Sequence, residues 1–110
     1  VSEIIAEDAK IITLARAARA RTGALEGAAV RDTMGRTYSA TTVDLPSLKL
    51  SALRLAVAVA AASGAEGLEA AALVTTTGTA AEIDVAAVHD LGGQAPILVA
   101  APDGTLRATL

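Results

Sequence analysis

The stretch Leu50-Ser51-Ala52-Leu53-Arg54-Leu55-Ala56-Val57-Ala58-Val59-Ala60-Ala61-Ala62 decides how this chain folds. Apart from Ser51 and Arg54 every residue in it is apolar, so a helix through it has almost no polar side and reads as buried all round rather than amphipathic. Pro46-Ser47 upstream supplies a helix start and Ser63-Gly64 a stop, which predicts a helix from Pro46 through Ala62. The run is shorter than the roughly 18 consecutive apolar residues of a membrane span, and it carries Arg54. Such a helix needs cover on every side, and the flanking sequence must provide at least a sheet.

It does so on both sides. Upstream, Ser2 is placed to cap a first helix from about Glu3 to Ala20, with Ile4, Ile11, Leu14 and Ala18 recurring on one face and Thr22-Gly23 as its end. Ala28-Ala29-Val30, the turn-prone Asp32-Thr33-Met34-Gly35, and Arg36 to Thr41 then read as an antiparallel hairpin. Downstream, Glu69 to Thr76 is a short apolar strand, and Thr79-Ala80-Ala81-Glu82 fits a capping box for a third helix through Leu91, closed by Gly92-Gly93. Pro96 to Ala101 is a strand, Pro102-Asp103-Gly104 a tight turn and Thr105 to Leu110 a closing antiparallel strand. Two βαβ crossovers put the second and third helices on one face of the sheet and leave the first for the other. The expected architecture is α/β, three layers (α/β/α) around a mixed five-stranded sheet, as a single domain over residues 1–110.

Composition excludes several functions. Of 110 residues 53% are hydrophobic, which argues for a packed globule over a disordered chain. The net charge is −3, and Arg16, Arg19 and Arg21 form the one basic cluster, read as a solvated face, so no nucleic-acid partner is expected. The lone Tyr38 leaves no aromatic platform for single strands. No membrane segment is expected, and Val1-Ser2-Glu3 opens no basic, then apolar, leader, which points to the cytoplasm. With no cysteine and only His89, a thiolate zinc site, a disulfide framework and a cysteine nucleophile are all missing. His89 lies one turn and a residue beyond Asp84, off the i, i+4 face a chelate or dyad requires, and reads as a surface histidine near a helix end. Ser47 and Ser51 have no base partner in sequence, so a serine nucleophile is not expected.

The string Gly27-Ala28-Ala29-Val30-Arg31-Asp32, followed by Gly35-Arg36-Thr37-Tyr38, Val43, Ser47, Leu50-Ser51 and Val57-Ala58, resembles the small homo-oligomeric cytidine deaminases of pyrimidine salvage. Pro96-Ile97-Leu98-Val99 and Pro102-Asp103-Gly104 look like that family's terminal hairpin. The resemblance covers nearly the whole chain and implies the same element order. It also says what to look for: zinc that lowers the pKa of a bound water to about 7, and a carboxylic acid that ferries protons. In the family, the first zinc ligand and the proton-shuttling glutamate stand as Cys-Ala-Glu, where this chain has Leu53-Arg54-Leu55. The other two ligands come from Pro-Cys-x-x-Cys, which falls on Ala80-Ala81-Glu82-Ile83-Asp84. All three cysteine positions, Leu53, Ala81 and Asp84, lack a thiol, and one carboxylate does not make a metal site.

The substrate positions differ too. The family's nucleoside-holding Asn-Val-Glu aligns with Thr42-Val43-Asp44 and its pocket Phe with Ala24, so Thr42 and Asp44 are at most vestigial nucleoside contacts. Leu53, Leu55 and Ala81 are expected to be buried and close-packed where the family holds its metal. The resemblance therefore implies a non-catalytic family member with no cofactor. Two roles stay open: an oligomeric interaction or scaffold protein, and a nucleoside or small-molecule binding module without turnover. An active hydrolase ranks behind both. Because the apolar helix needs cover, a homodimer or homotetramer is expected, with Leu50, Leu53, Val57, Ala60 and Ala61 at its interface, beside an unidentified protein partner.

Overall fold

Gly27 to Val30 and Ala70 to Val74 are continuously buried apolar runs, the pattern of strands covered on both faces. In the computed structural model, which describes residues 4–110, they pair at the centre of the sheet. The elements in chain order are α1 (Ala6–Thr22), β1 (Gly27–Asp32), β2 (Thr37–Thr41), β3 (Val43–Leu45), β4 (Leu48–Leu50), α2 (Ala52–Ala62), β5 (Leu68–Val74), α3 (Glu82–Gly92), β6 (Ile97–Ala100) and β7 (Leu106–Thr109). The main sheet has the order β2-β1-β5-β6-β7. β1 is antiparallel to both β2 and β5, β5 is parallel to β6, and β7 returns antiparallel on β6, as the Pro102-Asp103-Gly104 turn requires.

Side-chain alternation along these strands makes two cores. On one face Ile11, Ile12 and Ala15 of α1 pack on Ala29, Ala70, Ala72, Val74 and Leu98. On the other, Leu53, Ala56, Val57 and Ala60 of α2 and Val88 of α3 pack on Ala28, Val30, Leu73, Ile97 and Val99. The molecule is thus the three-layer α/β/α arrangement with a mixed five-stranded sheet. Arg31 clamps α1 to the sheet, its guanidinium reaching Asp8 and Glu69 at 3.0 Å each.

Three details differ from the sequence expectation. Pro46-Ser47 does not open α2; it is the two-residue turn of a separate β3–β4 hairpin in which Leu45 pairs with Leu48. Proline's fixed φ suits a turn as well as a first helical residue, and the turn wins here. The helix begins at Ala52 instead, with Ser51 as N-cap, its Oγ accepting the Arg54 N–H at 3.3 Å. Thr79 does not cap α3: Ala81 takes the N-cap position without a side-chain bond, and the Thr79 carbonyl accepts from Thr77 Oγ1. Nor is α2 buried all round, since Ala58, Val59, Ala61 and Ala62 face solvent in this chain. The proposed Ser2 cap lies outside the described residues, and α1 has Ile5 at its N-cap and Gly23, with φ 65°, as its left-handed C-cap.

Close approach of α1 to the sheet depends on small residues. A Cβ on Gly27 would stand 2.1 Å from the Ala15 carbonyl oxygen and 2.9 Å from Arg19 Cβ. Gly27→Ala is therefore expected to push α1 off β1 and lower unfolding stability by about 3 kcal/mol in denaturant titration.

The β1–β2 turn is built on one carboxylate. Asp32 is buried, its Oδ1 accepting the N–H groups of Met34 and Arg36 at 2.9 Å and its Oδ2 the Tyr38 hydroxyl at 2.8 Å. Burial alone would raise its pKa, but the Tyr38 and backbone bonds, helped by the Arg36 charge, outweigh it and hold Asp32 below the usual carboxylate range. A depressed folded-state pKa adds stability that is complete above the unfolded value and lost as pH falls through the folded one. Unfolding midpoints measured from about pH 5 down to about pH 2 should therefore fall with acid, and Asp32→Asn should flatten that limb.

Candidate functional site

The N-termini of α2 and α3 meet on the same side of the sheet, and one hydrogen bond joins them. Ser51 Oγ donates to Asp84 Oδ1 at 2.7 Å while accepting the Arg54 N–H, so a single hydroxyl caps α2 and holds α3. Asp84 sits in the first turn of α3, where a negative charge is favoured by the helix dipole, and is only 4% exposed. Beneath this join the Leu53 side chain is fully buried against the sheet, and Leu55 packs half-buried on the same cluster.

The three positions where the deaminase resemblance places zinc ligands thus lie at one junction but do not behave alike. Leu53 is core, Asp84 is buried and bonded to Ser51, and Ala81 is exposed at the start of α3, not close-packed as expected. An alanine methyl has too little apolar surface to draw a helix start inward. Zinc does not fit these residues: two of the three positions present only hydrocarbon, and the third has an oxygen engaged by Ser51. Among the described residues no three His, Asp or Glu side chains gather in a way that could hold a metal ion.

The nucleoside positions are occupied by other bonds. Thr42 Oγ1 accepts the Glu26 N–H at 3.1 Å, and the Thr42 N–H returns a bond to the Glu26 carbonyl. Asp44 is exposed and ion-paired with Lys49 across the β3–β4 hairpin. His89 is exposed near the end of α3, where its carbonyl accepts the Gly93 N–H, as a surface histidine should be. Ser51 is the residue that sequence reasoning missed. It was read as a serine without a partner, yet it bonds a carboxylate 33 positions away. Its signal was a serine immediately before an apolar helical run, masked by the Pro46-Ser47 start.

The expected interface residues are also redistributed. Leu53, Val57 and Ala60 are buried in the chain's own core and Leu50 is half-buried, whereas Ala61 is exposed. The outward face of α2 is carried by Ala58, Val59, Ala61 and Ala62.

The cytidine deaminase-like family model matches residues 4–104. The chain belongs to the cytidine deaminase-like family. Among solved structures, a cytidine deaminase from Burkholderia pseudomallei superposes with a TM-score of 0.80 at 23% identity, covering 92% of this chain and 89% of that one. A cytidine deaminase from Mycobacterium leprae superposes with a TM-score of 0.72 at 23% identity, covering 96% of each chain. At this identity the likeness is one of fold. No curated protein sequence matches the chain.

In this cytidine deaminase-like chain the Ser51–Asp84 bond should be measurable as a coupling. Asp84→Ala is expected to cost about 2 kcal/mol and Ser51→Ala about 1–2 kcal/mol, since each strands a buried partner or removes a cap. The double variant should lose less than the sum, and a double-mutant cycle by urea unfolding checks it.

Proposed function

We propose that this member of the cytidine deaminase-like family is non-catalytic and acts in the cytoplasm as an oligomeric interaction or scaffold protein. The observation that supports it is the junction at Leu53, Ser51 and Asp84. A buried leucine stands at the family's first ligand position, and the one remaining carboxylate is bonded to the N-cap of the neighbouring helix. Leu55 at the glutamate position has no proton to exchange, and the one carboxylate at the junction, Asp84, is buried and bonded to Ser51, which leaves no group in the proton-shuttling position and no ligand set for a metal to bind the hydroxide that deamination requires.

A nucleoside-binding module without turnover is the competing reading. It is weakened by the engagement of Thr42 with Glu26 and of Asp44 with Lys49. Self-association is supported by what the chain leaves uncovered: Val59 is 37% exposed, Ile83 61%, and Leu45 and Leu48 at the β3–β4 hairpin 53% and 49%. A second copy laid on the outer face of α2 would cover apolar surface there, and Ala58, Ala61 and Ala62 permit close approach.

Incubation with cytidine, with and without added zinc, should yield no uridine. Sedimentation at micromolar concentration should show a dimer or tetramer, and Val59→Glu should shift it toward monomer while the circular dichroism spectrum is retained. Uridine formation would overturn the non-catalytic reading. A stable monomer would overturn the scaffold reading, and saturable binding of cytidine or uridine by calorimetry would replace it with the binding module.

A further inference from the structure

The carboxyl ends of β5 and β6 carry a feature that neither the family positions nor the apolar face of α2 uses. A groove of about 380 Å³ opens there between the loop Thr75-Thr76-Thr77-Gly78 and Arg107 of β7, with Pro102 at its rim. On the other side of Pro102 a second groove, of about 320 Å³, is lined by Arg16 and Arg19 of α1. Neither lining contains an acid. In a chain of net charge −3 this places three arginines around one turn.

Two of these cations are pinned to backbone carbonyls, and the Asp103 carboxylate at the turn lies within electrostatic reach of Arg16 and Arg107 without a direct ion pair to either. Arg16 Nε donates to the Pro102 carbonyl and Arg19 Nε to the Leu25 carbonyl, each at 3.1 Å, which fixes both guanidinium groups, that of Arg16 against Gly104 of the turn. Among the described residues the ion pairs are those of Arg31 and Lys49, so Arg16, Arg19 and Arg107 have no salt-bridge partner. The one carboxylate at the turn, Asp103, accepts the Thr105 N–H at 2.8 Å.

The loop opposite Arg107 is shaped in advance. Thr75 Oγ1 is 3.3 Å from Thr77 Oγ1 and accepts the Thr77 N–H, and Thr77 Oγ1 in turn donates to the Thr79 carbonyl. This relay uses the hydroxyls of Thr75 and Thr77 internally. Thr76 is exposed between them, with no side-chain hydrogen bond of its own among the described residues. Arg107, which makes no direct ion pair, and the free Thr76 hydroxyl form a donor pair suited to a tetrahedral oxyanion, and the fixed guanidinium groups of Arg16 and Arg19 beside the neighbouring groove add positive charge that outnumbers the single acid at the turn, Asp103.

We propose that the groove between the Thr75–Gly78 loop and Arg107 binds the phosphate group of a small phosphomonoester, with Arg107 and Thr76 as direct donors and Arg16 and Arg19 supplying the surrounding positive field. The volume accommodates a phosphate with part of its organic substituent. The basic run Arg16, Arg19 and Arg21 that reads in sequence as a solvated face thereby gains a further neighbour, Arg107, from the far end of the chain.

The test is titration of the ¹⁵N-labelled full chain with inorganic phosphate and, separately, with a mononucleotide, each against sodium chloride at matched ionic strength. Saturable amide shifts confined to Thr75–Gly78 and Arg107 are expected with the mononucleotide, and weaker ones at the same residues with phosphate. Arg107→Ala should weaken binding by about tenfold or more, Thr76→Val by less, and Lys49→Ala not at all. Shifts reproduced by chloride, shifts unchanged in Arg107→Ala, or no shifts at about 10 mM of either ligand would overturn the proposal. Saturation by phosphate as tight as by the mononucleotide would overturn its assignment to a phosphomonoester.

Discussion

A half-buried hydroxyl between two helix N-termini is the constraint around which one whole layer of this protein is arranged. The first N–H groups of a helix have no partner within it, and a buried carboxylate requires donors of its own. Ser51 meets both requirements at once, accepting from Arg54 N–H and donating to Asp84. The bond fixes how α2 and α3 start relative to one another, and that in turn fixes which faces of the two helices meet the sheet. Leu53 can then lie fully buried directly after the cap, and Val88 completes the same core from α3. In the family's cysteine-and-zinc arrangement a metal would tie these helix starts together; here an ordinary side-chain pair does so.

The rest of the fold is a solution to packing with small side chains. About a quarter of the residues are alanine and a single one is aromatic, so each buried side chain contributes little area, and the layers gain by approaching closely. α1 comes near enough to β1 that Gly27 has no room for a methyl group, and the Arg31 pairs with Asp8 and Glu69 hold the same seam from its edge. The second layer uses Ala52, Ala56 and Ala60 in the same way. What this arrangement leaves outside is equally specific: an alanine-rich, valine-bearing outer face on α2, and arginines on either side of Pro102, Arg16 and Arg19 of α1 on one and Arg107 of β7 on the other.

Much of this was legible in the sequence, and the exceptions have physical causes. The strands were readable because Gly27 to Val30, Ala70 to Val74 and Ile97 to Ala100 are short apolar runs with turn residues nearby. The terminal hairpin was readable from Pro102-Asp103-Gly104. The start of α2 was not, because Pro46 satisfies the geometry of a turn and of a helix start equally well. The orientation of α2 was not either, since a helix with apolar residues on all sides carries no periodic signal of which side faces the sheet; Leu53, Val57 and Ala60 turned inward and Val59 outward. The altered ligand positions were visible one by one, but the Ser51–Asp84 bond spans 33 positions and no local pattern announces it. Ala81 shows the converse, a position whose family role gave no guide to its exposure once the cysteine was absent.

In the proposed reading, the Ser51–Asp84 bond joins the starts of α2 and α3 at the positions where the deaminase resemblance places zinc. The measurement that reaches it most directly is equilibrium unfolding of the untagged chain in chelator and again with excess zinc. A native metal site would link zinc to folding by mass action, by about 2.7 kcal/mol when the ion is at a hundred times its dissociation constant. Superimposable unfolding curves are expected in the two conditions. A midpoint that rises with zinc concentration and falls in chelator, with the rise abolished by Asp84→Ala, would contradict it.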